Sequence, residues 1–508
     1  MLKVNSYSFK SFQQQLKPAQ KPFNPNKLSI YYYNDTHGNS DQMAGILNSA
    51  HVFKQQNKDT VNFVLSAGDN TSGSDSKKNN FIFDLLKNIA NIDASAVGNH
   101  EIDGGMESFI DAAKNEGIPF VATNVDFDDS HPLDDLIKKS FIKEQNGVKY
   151  GFIGAMPIDF KSCTKKQAQK GIEVMDFKEG IEEMQEEINE LRKKGVNKII
   201  LLSHSGYEID KKYAQNLDGV DIIVGGHSHS VVQGAKQNEN IISSKSGEPV
   251  LIVQAGENGK YYGVLDVEFD NNGRLKFINN SLIENSNLKK SPVIEAIKNQ
   301  LLGKSPSIAT ISQIDPIPRN RRVSPCAWTN LMADAMRYEM NCDIAFINSA
   351  NIRKVPQAGV LTERDVFESA PMKNDLLTTK VTQKQVVDAI KTAAKQSMTS
   401  HEGEPGLLQV SGLTYKINKQ GDLLEMNFID KNGNKTPINI NNPSETITYS
   451  AVYDHFVAQE DGEYPLMVPK FPQKDFNFDK DKLTCDYIKK LTAKNSLIIT
   501  DDKRIEIL

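Results

Sequence analysis

Residues 30–39 read IYYYNDTHGN, an aromatic run that ends in a carboxylate and an imidazole two residues apart. Side chains at positions i and i+2 of an extended strand share one face, so Asp35 and His37 can point at the same cation. For a single pattern of this kind, the alternative is a strand end whose Asp starts a turn and whose His lies on the surface. The stretch therefore predicts a buried strand and half of a metal site, and other segments decide between the two interpretations.

Four further segments place polar side chains directly after a predicted strand. In open α/β sheets ligands bind at the carboxyl ends of the strands, and glycines there let the backbone turn sharply toward a shared centre. The segments are Ala67 to Asn70, Gly98 to Asp103, Ser203 to His204 and Gly225 to His229. Five of the nine histidines follow predicted strands in this way, namely His37, His100, His204, His227 and His229. This repetition favours a metal centre over five unrelated structural histidines.

Two of these segments also supply oxygen ligands. A pair of cations about 3.5 to 4 Å apart needs a carboxylate that bridges them, and Asp69 is suited to that position. The amide oxygen of Asn99 would be a further hard ligand. Taken alone, Asp69 would serve equally well as a helix N-cap before Thr71.

Length and composition limit the functional classes. The chain has 508 residues, more than one hydrophobic core usually supports, so about two to three domains are expected. Its 38% hydrophobic and 25% charged residues are typical of a soluble globular protein, and no run approaches the roughly 18 apolar residues of a membrane span. A net charge of -5 argues against binding of nucleic-acid polymers through the overall field. The four cysteines are widely spaced and suggest neither a disulfide framework nor a zinc knot.

The chain divides into four parts by pattern. Residues 1–27 are rich in Lys, Gln, Ser and Pro and lack both acids and the apolar core of a signal peptide, which predicts a flexible tail. A transit peptide is the alternative, although this segment contains no Arg. Residues 28–285 alternate short apolar runs with helical patterns and predict an α/β domain. The polar segment 286–315, with a helix predicted at Val293–Leu302, is a linker, and residues 316–508 form a second domain.

Periodicity predicts the main elements of both domains. The predicted strands of the first domain are Leu28–Tyr33, Asn62–Ser66, Ala94–Val97, Tyr150–Ala155, Lys198–Ser203, Asp221–Val224, Val250–Ala255 and Tyr262–Phe269. Apolar residues at helical spacing between the first two strands, and again over Phe177–Lys194, predict two helices. The elements predicted for the second domain are helices Thr329–Met340, Gln383–Lys395 and Leu483–Leu491 and strands Asp343–Ile347, Leu413–Ile417 and Thr446–Val452.

The ordered ligand blocks resemble those of a known family. N-D-T-H-G, G-D-N, G-N-H-E-x-D, S-H and G-G-H-S-H are similar to the blocks of calcineurin-like metallophosphoesterases, specifically the two-domain 5'-nucleotidases with UDP-sugar hydrolase activity. The similarity continues through residues 322–337, 348–353 and 407–413. The resemblance implies an α/β fold in which a metallophosphoesterase β-sandwich, flanked by helices, precedes a smaller α/β C-terminal domain.

The same resemblance implies two divalent metal ions. One would be held by Asp35, His37, Asp69 and His229, and the other by Asp69, Asn99, His204 and His227. The dyad that stabilises charge in the transition state or on the leaving group would be His100 and Asp103, with the acid orienting the imidazole. Because these ligands offer nitrogen and oxygen but no thiolate, Zn, Mn, Co and Fe all remain open.

For the second domain the resemblance implies a set of substrate-binding residues. The matching positions are Arg322, Asn348 and Arg353 for the anionic group, Phe456 for the base and Asp461 for the ribose. Met372 stands where the family has a second aromatic clamp, and residues 460–463 differ from its G-G-D-G ribose loop. The departure would change base recognition without abolishing it, since the sulfur of Met can still pack against a ring.

The expected function is that of a phosphoesterase with two metal ions that hydrolyses 5'-nucleotides or related small phosphate compounds by attack of a metal-bound hydroxide. A UDP-sugar hydrolase and a 2',3'-cyclic-nucleotide phosphodiesterase are alternatives within the same chemistry. A catalytically dead nucleotide-binding module is a third, although such a protein would be expected to have lost ligands. No nucleic-acid polymer, membrane span or protein partner is implied, and members of the family are usually periplasmic or extracellular.

Overall fold

The computed structural model describes residues 23–72, 76–102, 106–164, 166–285, 305–372, 374–400, 405–459, 464–478, 480–492 and 496–508, together with positions 299, 303 and 462. Most of the predicted tail, the predicted linker helix, Asp103 and Asp461 lie outside these ranges.

The first strand of the chain is buried along almost its whole length because both of its faces are covered. Leu28, Ile30 and Tyr32 belong to the core between two sheets. Tyr31 and Tyr33 alternate with them and pack against a layer of helices. A strand covered on both faces is a nearly continuous apolar run, which explains why three successive tyrosines fit here.

Two sheets packed face to face form the first half of the protein. The six-stranded sheet is parallel through four strands and ends in an antiparallel pair. In spatial order its strands are Leu275–Glu284, Tyr261–Phe269, Lys27–Tyr33, Val61–Ser66, Ala94–Ala96 and Phe120–Val121. The strands of the seven-stranded sheet are Val231–Val232, Pro249–Ala255, Ile222–Gly225, Ile199–Ser203, Val148–Ala155 and Ser140–Gln145, with Ile241–Ser243 paired to Pro249–Ala255.

Helices cover the outer faces of this sandwich. Two pack on the six-stranded sheet through an apolar stripe, and two others pack on the seven-stranded sheet. The α-helices are Ser40–Gln56, Ser76–Leu85, Asn99–Ile102, Met106–Asp111, Phe160–Cys163, Phe177–Lys193 and Tyr207–Asn216, with π-helical turns at Leu86–Ala90 and Ala112–Glu116. A short ribbon, Val125–Phe127 with Ile172–Val174, lies beside the sheets. Asp176 caps the amphipathic helix Phe177–Lys193 by accepting hydrogen bonds from two backbone N–H groups of its first turn.

The second half contains three smaller sheets and four α-helices among its described residues. The strands are Leu408–Ser411, Ile344–Asn348, Thr448–Asp454, Leu376–Thr382 and Lys474–Phe476 in one sheet, Lys435–Pro437, Leu423–Ile429, Leu413–Ile417 and Ile505–Ile507 in another, and Gly359–Thr362, Ser307–Ile314 and Leu497–Ile499 in the third. The helices are Ala327–Glu339, Glu363–Ser369, Gln383–Thr399 and Lys480–Leu491, with 3₁₀ turns at Arg321–Val323, Ser349–Asn351 and Pro465–Met467. Two hydrophobic cores result, one of which surrounds the buried indole of Trp328.

The α/β class and the eight strands predicted for the first domain are confirmed, with ends that shift by at most two residues. Edge strands such as Leu275–Glu284 were not predicted, because much of their surface is exposed to solvent and their composition is polar. The sequence pattern assigns residues 307–314 to the linker, yet they form the middle strand of the three-stranded sheet. Its two partners lie about 50 and 190 residues further along the chain, so no local pattern reveals the pairing. None of the described helices is long and apolar enough to cross a bilayer.

Candidate metal centre and substrate cavity

Loops that follow five strands of the sandwich carry the predicted ligands to one place. Three of these strands are neighbours in the first sheet and two are neighbours in the second. Five ligand residues have a left-handed backbone conformation. Residues other than Gly rarely adopt it, and where they do it often marks a functional site. These residues are Asp35, His37, Asp69, His227 and His229, with φ angles of 50°, 48°, 52°, 73° and 57°.

Glycines allow the loops to touch through their backbones. A Cβ atom added to Gly98 would lie 2.1 Å from the Oδ1 atom of Asp69 and 2.6 Å from its backbone nitrogen. A Cβ atom on Gly226 would lie 2.7 Å from the carbonyl oxygen of Ala67 and 2.8 Å from the Nδ1 atom of His204. The small residues beside the ligands are therefore required by close packing.

One group of ligand atoms surrounds Asp35. The Nε2 atom of His229 lies 3.3 Å from Asp35 Oδ1, and the Nε2 atom of His37 lies 3.9 Å from the same oxygen. His37 Nε2 is also 3.5 Å from Asp69 Oδ2. One nitrogen from each histidine and one oxygen from each carboxylate therefore face a common point.

A second group adjoins the first through the same carboxylates. The Nε2 atom of His204 lies 3.1 Å from Asp69 Oδ2 and 3.8 Å from Asp35 Oδ1. The ring of His227 lies 5.2 Å from that of His204, centroid to centroid. Asn99 lines the cavity onto which both groups open. Asp69 Oδ2 thus lies between histidines of the two groups.

Several of these atoms fit a cation better than they fit an empty pocket. Asn99 Oδ1 is buried and has no hydrogen-bond partner within the described ranges, whereas Asp35 Oδ1 and His204 Nε2 face other members of the centre, His229 at 3.3 Å and Asp69 at 3.1 Å. Leaving a buried polar atom unpaired costs about 1 to 3 kcal/mol, so the Asn99 oxygen calls for a ligand. Nitrogen and oxygen donors without a thiolate suit divalent transition metals, and the residues present therefore fit the group that the family implies.

The second ring nitrogen of each candidate histidine contacts an oxygen atom outside the centre. Such contacts fix the tautomer and the orientation of a metal-binding imidazole. The pairs are His37 Nδ1 with Asn258 Oδ1 at 3.3 Å, His204 Nδ1 with the Ala67 carbonyl at 2.7 Å, His227 Nε2 with Asp159 Oδ2 at 3.2 Å, and His229 Nδ1 with Glu257 Oε2 at 3.2 Å. His227 thus contacts its oxygen partner through Nε2, whereas the other three histidines do so through Nδ1.

The two central carboxylates are oriented in the same way. Asp35 Oδ2 accepts hydrogen bonds from the Asn34 amide at 2.6 Å and from the backbone N–H of His227 at 2.9 Å, which leaves Oδ1 for the centre. Asp69 Oδ1 accepts from the backbone N–H of His100 at 2.9 Å, so that Oδ2 faces the histidines.

Charges within the centre reinforce one another. Burial would raise the pKa of Asp35, but His204 and His229 outweigh it and lower that pKa to about 2. The pKa of Asp69 is likewise held well below its usual value against burial, mainly by His204. In turn, burial would lower the pKa of His204, but the carboxylates of Asp69 and Asp35 raise it to about 10. A divalent cation that binds here would take the place of the His204 proton, because a histidine ligand must be neutral.

A cavity of about 520 Å³ lies between the two halves of the protein and opens onto the centre. Its lining from the second half includes Arg322, Asn348, Arg353, Met372 and Phe456. Its lining from the first half includes His37, Asp69, Asn99, His100, His227 and His229, together with a wall that the sequence did not predict, formed by Asp159, Ser162, Cys163, Thr164, Ser205, Gly206, Glu208 and Ile209.

Arg353, which lines the cavity from the second half of the protein, contacts the metal centre. The Nη2 atom of Arg353 lies 3.5 Å from His100 Nε2, and His100 Nε2 lies 3.9 Å from Asp69 Oδ2. Burial, followed by the charge of Arg321, lowers the pKa of Arg353 to about 10. Its Nε and Nη1 atoms are buried and lack a hydrogen-bond partner among the residues described. An anion in the cavity would meet this guanidinium beside the metal ligands.

Two known protein families match the two halves of this chain. Residues 28–231 match the family model of calcineurin-like phosphoesterases, and residues 307–468 match that of the 5'-nucleotidase C-terminal domain. The chain belongs to this two-domain family. The recognition made from the ligand blocks is thereby confirmed.

Relatives of this phosphoesterase-like chain carry nucleotide activities in their names. It is 27% identical to the trifunctional nucleotide phosphoesterase protein YfkN of Bacillus subtilis over 92% of its own length and 34% of that protein. It is 31% identical to the 5'-nucleotidase of Mus musculus, over 61% of this chain and 59% of the mouse protein. The chain thus spans about a third of the first relative and about three fifths of the second.

Solved structures share the fold across both domains. The 5'-nucleotidase precursor of Thermus thermophilus superposes with a TM-score of 0.76 at 25% identity, over 95% of this chain and 99% of that one. The sulfate thiohydrolase SoxB from a Thermus species superposes with a TM-score of 0.71 at 14% identity, over 97% and 98% of the two chains. At that identity the second likeness shows the fold alone.

The predicted site residues of this family member fall into three groups. The seven predicted metal ligands and His100 are brought together, as described above. Arg322, Asn348, Arg353 and Phe456 line the cavity, whereas Asp103 and Asp461 lie outside the described residues, so their roles stay predictions. The side chain of Asn348 also caps a 3₁₀ turn, where it accepts a hydrogen bond from the backbone of Ala350 at 2.9 Å.

Three carboxylates next to ligand residues escaped the sequence analysis. Glu101 accepts hydrogen bonds from the backbone N–H groups of Asp69, Asn70 and Gly98 at 2.9, 2.7 and 2.8 Å, and so ties two ligand loops together. Burial, aided by the charge of Asp69, raises its pKa to about 7. The other two are Asp159 and Glu257, which contact histidine ligands. Only Glu101, inside the G-N-H-E-x-D block, had a local signal that could have drawn attention to it.

Proposed function

We propose that the protein is a metal-dependent phosphoric ester hydrolase that acts on 5'-nucleotides or related small phosphate compounds. The observation that carries the proposal is the position of the Arg353 guanidinium, which the second domain holds 3.5 Å from His100 and beside the candidate ligands of the first. An anionic ester in the cavity would therefore meet a fixed cation and the metal centre at once. When bound, divalent cations would polarise the ester and activate a water molecule.

Two cations are proposed instead of one. Asp69 Oδ2 has His37 Nε2 at 3.5 Å and His204 Nε2 at 3.1 Å, so one carboxylate oxygen serves two sets of nitrogen ligands. Asp35 Oδ1 adjoins both sets as well. A single ion of about 2.0 to 2.2 Å bond length would leave some of these ligands unused.

The remaining side chains suggest a division of labour. Arg353 would bind and orient the phosphoryl group. His100, at the boundary between that guanidinium and Asp69, would stabilise developing charge or give a proton to the leaving group. The predicted partner of His100, Asp103, would orient its imidazole.

Nucleotides are the proposed substrate class. A cavity of about 520 Å³ is within the size range of small-molecule sites, and both relatives described above carry nucleotide substrates in their names. UDP-sugars and 2',3'-cyclic nucleotides remain the alternatives, because they share the phosphate and the base. A dead nucleotide-binding module would not need the full ligand set that this chain retains.

Metal analysis and turnover together test the proposal. Wild-type protein loaded with Zn, Mn, Co or Fe should bind about two ions per chain and hydrolyse AMP. Asp69→Asn removes the shared anion, so it should lose metal and nearly all turnover. The exposed helix residue His51 provides the control, and His51→Asn should match wild type. Stoichiometry well below one ion in wild type, or full activity in Asp69→Asn, would contradict the proposal.

A further inference from the structure

Glu257 connects a metal-ligand histidine to the second domain. It follows strand Pro249–Ala255 by two residues, and its side chain is one quarter exposed. One oxygen, Oε2, lies 3.2 Å from His229 Nδ1, and the opposite nitrogen of that ring faces Asp35 Oδ1 at 3.3 Å. The other oxygen, Oε1, accepts a hydrogen bond from the Nη1 atom of Arg321.

Arg321 comes from the other domain and is almost fully enclosed. It begins the 3₁₀ turn Arg321–Val323, within the segment that matches the 5'-nucleotidase C-terminal domain. Its side chain is 7% exposed, although Arg is one of the residues least often buried. Neither Arg321 nor Glu257 belongs to the predicted ligands, dyad or substrate-binding residues. Their contact nevertheless forms a chain of polar groups from the second domain to the centre.

We infer that Glu257 is a positioning residue for His229 and that Arg321 holds the Glu257 carboxylate in place. The second domain thereby helps to retain the metal ion that His229 binds. A carboxylate behind a ligating imidazole fixes the ring and strengthens the metal bond, and its loss usually costs about 10- to 100-fold in affinity. An Arg bound to that carboxylate restricts its rotation in turn. The inference rests on the proposed metal-dependent function.

Charge alone makes the opposite prediction for Arg321. A guanidinium near a metal centre repels cations, so removing it should tighten metal binding if long-range Coulomb forces dominate. If Arg321 acts by holding Glu257 in place, removing it should weaken binding despite the lost repulsion. The sign of the change therefore separates positioning from simple electrostatics.

The experiment measures metal release from the full-length loaded protein into a chromogenic chelator. Glu257→Gln should release one of its two ions about 10- to 100-fold faster than wild type. Arg321→Met should accelerate the same phase severalfold, and the double variant should be no faster than Glu257→Gln alone, because both changes break one contact. The control is Lys354→Met, which removes another ion pair between the domains, with Asp41 at 3.4 Å, together with an ion pair to Glu368 within the second domain, and should release metal at the wild-type rate.

Each outcome decides the inference. Metal release from Arg321→Met that is unchanged or slower than wild type overturns it, and so does equal acceleration in Lys354→Met. If Arg321→Met does not fold, as judged by circular dichroism and cooperative unfolding, Arg321→Lys carries the test with the same expected direction. A wild type that binds no transition metal would instead contradict the proposed function, so the two failures are distinguishable.

Discussion

His100 differs from the four candidate metal-binding histidines in what its ring contacts. Its Nε2 atom lies 3.5 Å from the guanidinium of Arg353 and 3.9 Å from Asp69 Oδ2. Its own backbone N–H binds Asp69, so the loop that carries it is held by the centre while its ring borders the cavity. This placement suits a group that acts on substrate better than a group that holds a cation.

Substitution of His100 tests that distinction. His100→Asn should lower kcat by about 10²- to 10⁴-fold while metal content stays at the wild-type level, because no ligand is removed. His204→Asn is the contrasting variant and should lose metal, since its Nε2 atom faces Asp69 Oδ2 inside the centre at 3.1 Å. Kinetics and metal analysis on the same preparations provide both readouts. Loss of metal in His100→Asn would move this residue into the ligand set.

Loops, and not the strands themselves, determine the precision of the centre. Strand ends carry each ligand to within a few ångströms, and left-handed residues then turn the side chains inward. Contacts between backbones hold neighbouring loops together, and Glu101 adds three hydrogen bonds between two of them. Glycine is required where one loop passes directly over the next.

Gly98 offers the clearest test of this packing. Gly98→Ala would place a Cβ atom 2.6 Å from the backbone nitrogen of Asp69, and a backbone atom cannot rotate away. We expect Asp69 to shift, with loss of metal and a decrease of about 1 to 3 kcal/mol in the free energy of unfolding. Gly247 is a suitable control, because a Cβ atom there would meet nothing within 4 Å. Although its φ of 87° makes Gly247→Ala strained, that variant should keep its metal.

Across the whole molecule, function depends on the meeting of two domains. The first supplies the metal centre, and the second supplies Arg322 and Arg353 together with Met372 and Phe456 of the cavity lining. Met372 lies at this junction, where its sulfur is 3.3 Å from the hydroxyl of Ser72 and its carbonyl accepts a hydrogen bond from Lys480 at 2.8 Å. The hydrogen bond from Lys480 holds the backbone of Met372, so a Phe at this position should occupy the same part of the cavity as the Met it replaces.

Substrate preference should depend more on the phosphate than on the base, because Arg353 is present to bind the phosphate whereas Met372 replaces an aromatic partner of the base. Arg353→Ala should raise KM for every substrate because all of them carry phosphate, whereas Met372→Phe should lower KM only for substrates with a base. A ring gained as a stacking partner is worth about 1 to 3 kcal/mol. A kinetic panel of AMP, GMP, CMP, UMP, UDP-glucose, 2',3'-cyclic AMP and a base-free phosphate monoester measures both effects. Because one aromatic of the base clamp is replaced by Met372, we also expect weak discrimination between bases, and a thousandfold difference in wild-type kcat/KM between AMP and CMP would contradict that expectation.

The sequence by itself determined the eight strands predicted for the first domain, the order of the ligand blocks and the family. These properties are local: alternation along a strand, small residues at its end and a polar side chain one to three residues later all lie within a short window. Asp35, His37, Asp69, Asn99, His204, His227 and His229 could therefore be named as candidates without coordinates.

Only the tertiary structure decided which ring nitrogen faces the centre and which groups hold each ligand. Glu257 lies 28 residues from His229 and 64 from Arg321, and Arg353 lies 253 from His100, so no pattern along the chain records these contacts. A carboxylate orients an imidazole through distance and angle in space, and packing of two domains sets both. For that reason the ligands were visible in the sequence, while the groups that position them were not.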